Sequence, residues 1–154
     1  MVIYEIGLVG LGAANSLLLL EMERKGLLDD YPVLVLEPDT KLTNDKTFCF
    51  WADPESDMVN QLKDLISHSW SVVETKEGKQ SLENMRYYMI ESLALYHRTR
   101  ELLDSSHNIT HVRSTLEEIR AHSSFIELAT SEDNYQVKKV YDSRALLPKE
   151  VIAT

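Results

Sequence analysis

The stretch GLVGLGAANS, residues 7–16, carries Gly10 and Gly12 at the spacing of a phosphate-binding turn. Gly10 suits a tight turn, and Gly12 lets the backbone approach a pyrophosphate, whose charge then meets the N–H groups and positive dipole end of a following helix. Leu11, Ala13, Ala14 and Asn15 supply the rest of the turn and the start of that helix. The dinucleotide fingerprint G-x-G-x-x-G expects a third glycine where Asn15 stands, to permit close helix–strand packing. A side chain there is expected to push the helix off the strand and weaken cofactor binding without abolishing it. Glu37 ends the next apolar run, where a carboxylate accepts hydrogen bonds from both hydroxyls of an adenosine ribose. The gap from Gly12 to Glu37 exceeds the usual ~20 residues, and KGLLDDYP absorbs the excess in a loop. A plain βαβ turn with incidental glycines is the competing reading.

A second stretch, NDKTFCFW at residues 44–51, sets Phe48, Phe50 and Trp51 around Cys49, the chain's single cysteine. With Trp70, Tyr87, Tyr88 and Tyr96, these aromatics build either ordinary core or the wall of a pocket for a large apolar molecule. Ring faces in such a pocket would also stabilise a carbocation. His107 and His111 are four apart but flank a loop-to-strand segment, and no third ligand has recognisable spacing, so no metal is expected. Cys49 has no adjacent basic residue to favour a thiolate. No serine sits in a nucleophile-elbow pattern.

The elements that must position these groups begin with VIYEIGLVG, residues 2–10, a strand ending at the glycine turn. Strong helix formers follow to Lys25, with Gly26 as the stop. Val33 to Leu36 form a short apolar strand of the kind buried on both faces in a parallel sheet. Strand, turn, helix and strand make a right-handed βαβ unit. Further on, PESDMVNQLKDLI (54–66) reads as a short helix, and SWSVVETKEGKQSL (69–82) as a hairpin turning near Gly78. The segment 85–106 reads as a helix with an apolar stripe at Met89, Leu93, Tyr96 and Leu103. A strand at 108–112 and a β-meander closing at 138–142 complete the pass.

Bulk properties exclude several classes. A net charge of −9 over 154 residues leaves no basic stripe for nucleic acid. One cysteine cannot form an internal disulfide, which fits a reducing, cytoplasmic location. No basic region precedes the apolar N-terminus, so no signal peptide is expected. The uninterrupted leucines at 17–20 are too few to span a bilayer. The reading is a soluble chain, with peripheral membrane contact left open.

NDKTFCFW resembles the Asn-Asp-Arg-Thr-Trp-Cys-Phe-Trp motif of lycopene cyclases, flavoproteins that close β-rings on carotenoids. Asn44, Asp45, Thr47, Cys49, Phe50 and Trp51 match; Lys46 and Phe48 replace Arg and Trp. Trp70 in HSW, then Tyr87, Ile90 and Tyr96 in YYMIESLALY, then VYDSR at 140–144, resemble later family segments in order. The resemblance implies an α/β, Rossmann-like FAD/NAD(P)-binding fold with an inserted β-rich substrate layer, incomplete in this chain. The expected division is 1–43 for the βαβ unit, 44–105 for the substrate-side insertion and 106–154 for the return to the FAD-binding domain.

The same resemblance implies reduced FAD as cofactor, with NAD(P)H as reductant. It adds Asn44, Asp45, Leu116 and Ser143 to Gly10, Leu11, Gly12, Ala13, Ala14, Asn15 and Glu37 as cofactor contacts. It turns Phe48, Phe50, Trp51, Trp70 and Tyr87 toward an apolar carotenoid. The implied reaction is a redox-neutral cycloisomerisation: protonation of a terminal double bond of lycopene, ring closure through a carbocation, and proton loss to give a β-ring. The family's best-known carboxylate motif lies downstream of the matched stretch, so the catalytic acid is unassigned and Asp45 is only a local candidate for a polar role. The expectation is an N-terminal portion, inactive alone and completed by a C-terminal part, in the same or a separate polypeptide. Another FAD-dependent oxidoreductase or monooxygenase of the same fold, and a non-catalytic nucleotide-binding fragment, are the alternatives.

Overall fold

The computed structural model describes residues 2–145. In chain order the elements are β1 (Ile3–Val9), α1 (Ala13–Arg24), a 3-10 turn (Leu27–Asp29), β2 (Val33–Leu36), β3 (Thr47–Ala52), α2 (Asp57–Leu62), β4 (Ile66–Trp70), β5 (Val72–Thr75), β6 (Gly78–Ser81), β7 (Arg86–Glu91), α3 (Ser92–Ser105), β8 (Ile109–Val112), β9 (Leu116–Ala121), β10 (Ile126–Thr130) and β11 (Asn134–Asp142). They divide into two compact units, Met1–Thr40 with Leu102–Thr154, and Lys41–Glu101.

The first unit is built on a six-stranded sheet in the order β8-β2-β1-β11-β10-β9. β8, β2, β1 and β11 run parallel, while β10 and β9 are antiparallel additions. Successive side chains on a strand point to opposite faces, and both faces are covered. Leu8, Val33 and Val35 pack with Leu19 and Met22 of α1 and with Leu102 and Ile109. Val9, Leu34 and Leu36 pack on the other side with Leu116, Leu128 and Val137. This is why VLVL is apolar at every position: all four residues of β2 are buried. Burial of each such side chain stabilises by about 1.5–3 kcal/mol. The helix α1 stops where expected, with Lys25 as its C-cap and Gly26 at φ +68°. The last meander strand is longer than its sequence suggests. β11 spans nine residues, because Asn134–Val137 pair with β10 while Gln136–Asp142 run along β1.

The second unit is a three-stranded antiparallel sheet, β3-β7-β4, with the β5–β6 hairpin, α2 and the first turns of α3. Its core is Ala52, Val59 and Tyr88, with Phe50 and Ile66 packed against them. Ser56 caps α2, its Oγ accepting the Val59 N–H at 3.4 Å. Three expectations are corrected here. The helix expected over 54–66 ends at Leu62, and Ile66–Trp70 is a strand, so Trp70 lies on β4 and the hairpin starts later, at Val72. The helix expected over 85–106 begins only at Ser92: the β-prone residues Tyr87, Tyr88 and Ile90 find a partner strand on each side of β7. Lastly, the aromatic segment is not a buried strand. β3 lies at the edge of its sheet, with Phe48 and Phe50 half-buried and Cys49 and Trp51 exposed.

No described helix is long and apolar enough to cross a membrane.

Candidate nucleotide-binding turn and an exposed aromatic face

The turn after β1 is fixed by backbone bonds on two sides. The Gly10 N–H donates to the Leu36 carbonyl at 2.8 Å, and the Ser143 N–H and Oγ donate to the Val9 carbonyl at 2.9 and 3.0 Å. Gly10 takes φ +81°, and a Cβ on it would lie 2.7 Å from Ser143 Oγ. Gly12, the N-cap of α1, differs: its conformation is extended, and a Cβ added there would meet no heavy atom within 4 Å. The space before α1 is therefore open on the side from which a ligand would approach. No side chain caps this helix and no acidic residue sits in its first turn. The first amides of a helix lack intrahelical acceptors and carry the positive end of its dipole. The arrangement fits an anion such as a pyrophosphate. Ala13 and Ala14 open the helix and carry nothing bulky into that space.

Glu37 sits just past the end of β2, 5% exposed. Its Oε2 accepts the Leu11 N–H at 2.6 Å and its Oε1 accepts the Asp39 N–H at 2.8 Å. Both oxygens of the carboxylate are thus held against backbone amides at the turn and the strand end.

Asn15, expected to push the helix off its strand, is instead bonded into the turn. It is 4% exposed, and its Nδ2 lies 2.7 Å from the Gly10 carbonyl, 3.2 Å from that of Val9, 3.4 Å from that of Tyr141 and 3.3 Å from Ser143 Oγ. The amide fills the gap that a glycine would leave and finds acceptors at strand ends. Ser143 thus meets the turn directly. Leu116 is buried, and its carbonyl accepts Arg144 Nη1 at 3.0 Å. Arg144 in turn forks onto Asp142 at 2.9 and 2.7 Å and holds the Asp142 carboxyl below its usual range. Sequence reading had passed over Asp142 and Arg144 individually; the x-Asp-x-Arg spacing is their only local signal.

Asn44 and Asp45 belong to the second unit, where they serve α3. Asn44 Oδ1 accepts the Leu93 N–H at 3.2 Å, and the Ser92 hydroxyl has Asn44 Oδ1 at 3.2 Å and Asp45 Oδ1 at 3.1 Å as acceptors. The Lys46 N–H closes the loop onto Ser92 Oγ at 3.0 Å. Burial pushes the Asp45 carboxyl up, but hydrogen bonds from the Ser92 and Tyr96 hydroxyls outweigh it and leave the group below its ordinary value.

The five aromatic pocket candidates do not share one surface. Alternation along β3 sends Phe48 edge-on toward Tyr96 (6.1 Å between ring centres) and stacks Phe50 on buried Tyr88 (5.3 Å). Trp51 goes to the opposite face and lies 4.3 Å from Tyr87, which is 6.0 Å from Trp70. Trp51, Tyr87 and Trp70 are direct cross-strand partners, and Cys49, Met89 and His68 form the next row on that face. His68 stacks on Trp70 at 5.9 Å, and a hydrogen bond to Cys49 pushes the Tyr87 hydroxyl up. Trp51 is 51% and Trp70 40% exposed, so this apolar face is bare. Met89 and His68 were missed as members of it. The signal was the i, i+2 spacing on strands that the sequence had not revealed as strands. Among the described residues no cluster of three or more His, Cys, Asp or Glu side chains could hold a metal ion.

No protein-family model matches the chain, and no curated protein sequence matches it. Solved structures do. The p-nitrophenol 4-monooxygenase PnpA from Pseudomonas putida DLL-E4 aligns at 14% identity and TM-score 0.63, over 91% of this chain and 41% of that one. The Diels-Alderase PyrE3 of pyrroindomycin biosynthesis aligns at 11% identity and TM-score 0.65, over 88% of this chain and 31% of that one. pqsL from Pseudomonas aeruginosa, described as a probable FAD-dependent monooxygenase, aligns at 11% identity and TM-score 0.61, over 89% of this chain and 41% of that one. The chain thus spans less than half the length of each. At such identities the likeness is one of fold, and the fold is the α/β, Rossmann-type fold of dinucleotide-binding proteins.

Proposed function

We propose that this chain is the nucleotide-binding portion of an FAD-dependent flavoprotein. One observation carries the reading: an open Gly12 at the uncapped start of α1, with the Glu37 carboxylate tied to the same turn. The backbone from Gly10 to Asn15 would hold the pyrophosphate and Glu37 the adenosine ribose. The solved structure described as an FAD-dependent monooxygenase supports the choice of FAD among dinucleotides. Titration of the purified chain with FAD, followed by quenching of flavin fluorescence, tests it. Saturable binding that is lost in Glu37→Ala is the expected result; a chain that stays colourless and leaves the flavin signal unchanged sinks the proposal.

Within that reading, the substrate class is an apolar polyene and the activity that of a lycopene cyclase-type enzyme. The support is the NDKTFCFW segment, six of whose eight positions match the cyclase motif, and the bare face of Trp51, Tyr87 and Trp70. Three rings on adjacent strands offer a π-rich surface on which an extended hydrocarbon can lie and developing positive charge can be stabilised. Bound FAD, reduced at the expense of NAD(P)H, would supply electron density or a proton to that chemistry. The acid that protonates the substrate has no assignment in this chain. A C-terminal part, in the same or a separate polypeptide, would complete the site, and a membrane-dissolved substrate calls for peripheral membrane contact. In a lycopene-accumulating host this chain alone should yield no β-carotene; pigment conversion by it would overturn that expectation.

The fold neighbours support a second reading, another FAD-dependent oxidoreductase or monooxygenase of the same fold. Oxygen consumption coupled to NAD(P)H by the completed protein would favour it, and isomerisation without oxygen uptake would favour the cyclase.

A further inference from the structure

We propose that Asn15 is a positioning residue, a latch that binds the glycine turn and the end of β11 into one rigid cofactor-binding body. The inference rests on the FAD-binding reading above. The fingerprint asks for glycine at this position, and by that rule Asn15 weakens binding. The geometry says otherwise. The Nδ2 group of Asn15 faces acceptors from three separate segments: Val9 at the end of β1, Gly10 in the turn, and Tyr141 with Ser143 at the end of β11. The last two are 126 and 128 residues away in sequence. Three of the four acceptors are carbonyls, which cannot donate, so the network itself requires the nitrogen, and not the oxygen, of the amide to face them.

The two amide hydrogens cannot satisfy four acceptors at full strength. The 2.7 Å contact to Gly10 is the short one and the others share what remains. The Gly10 carbonyl belongs to the residue whose positive φ shapes the turn, so the latch grips the turn at its most constrained point. Ser143 lies on the far side of the same turn, packed against Gly10 and bonded to the Val9 carbonyl. With glycine at position 15 these groups lose their shared donor, and beyond the β1–β11 ladder only Ser143 ties the turn to the end of β11. The amide also points toward the strands, so it leaves open the Gly12 side from which the pyrophosphate comes.

The two rules make opposite forecasts for Asn15→Gly. The fingerprint predicts equal or tighter FAD binding; the latch predicts FAD affinity lower by about tenfold. Since glycine is the ordinary residue at this point of the fold, the variant should still fold, which circular dichroism and thermal melting can verify. The second readout is amide exchange at Ser143 and Gly10, expected to accelerate in Asn15→Gly and in Asn15→Leu while the amides of β2 keep their rates. FAD affinity in Asn15→Gly equal to or better than wild type overturns the proposal, and so does unchanged Ser143 exchange. Should the wild-type chain bind no FAD, the functional reading fails, and the exchange measurement alone still decides whether Asn15 is a latch.

Discussion

The Glu37 carboxylate and the Leu11 amide, 26 residues apart, meet at 2.6 Å and tie the glycine turn to the end of β2. One side chain thus shapes the turn from the neighbouring strand end. Glu37→Gln keeps the shape but places an NH2 where one of two amide donors now finds an oxygen. For a residue only 5% exposed, that mismatch should cost about 1–3 kcal/mol. Urea unfolding of the two proteins reads it directly, and coincident midpoints would refute it.

Gly10 should tolerate no side chain. Gly10→Ala forces a residue with a Cβ to φ +81° and sets it 2.7 Å from Ser143 Oγ. The left-handed conformation alone costs roughly 1–2 kcal/mol, and the overlap adds to it. In a Ser143→Ala background the overlap vanishes while the backbone cost stays, so the penalty of Gly10→Ala should shrink without disappearing. A double-mutant cycle by chemical denaturation separates the two parts; a penalty identical in both backgrounds would show that the overlap is harmless.

Asn44 should act as a cap on α3 supplied from a distant loop. Asn44→Ala removes the acceptor for the Leu93 N–H and one acceptor for the Ser92 hydroxyl. Loss of a helix cap typically costs about 1 kcal/mol. Hydrogen exchange at Leu93 should speed up in the variant, with β7 protected as before. If the Leu93 amide keeps its wild-type rate, the cap is not holding that helix end.

Acid should loosen the end of β11. Arg144 lowers the folded-state pKa of Asp142 below the ordinary carboxylate value of 3.8. Stability from this pair is therefore present above the unfolded pKa and is lost as pH falls through the folded one, a window below about pH 4. Arg144→Met should flatten the decline of melting temperature in that window and lower it at neutral pH. Parallel profiles for the two proteins would remove Asp142 as a contributor.

The βαβ unit was readable because its signals are local. VLVL needs no partner to announce a strand buried on both faces, and two glycines between a strand and a helix announce the turn. β7 was not readable, because apolar residues in MRYYMIESLALY recur at helical spacing through both the strand and the helix that follows. Only pairing with β3 and β4, some 40 and 20 residues away, decides for a strand up to Glu91. The aromatic motif was found but its orientation was not. Once β3 is an edge strand, a period of two parts Phe48 and Phe50 from Trp51. Asn15 was legible as a missing glycine, yet its acceptors on β11 lie more than a hundred residues downstream. No spacing rule reaches that far.

The pairing of β1 with β11 also sets the order in which the molecule can be assembled. The middle of the main sheet joins residues 3–9 to residues 136–142, so β1 waits for a strand made more than a hundred residues later. Closing so long a loop before its contacts reward it slows folding. During synthesis at ~5–20 residues per second, β1 and β2 spend several seconds with one long edge unsatisfied. A chaperone that covers β1 until Asn134 leaves the ribosome would relieve that exposure. The glycine turn, which borrows Ser143 for its shape, accordingly takes its final form only after residue 143 has been made.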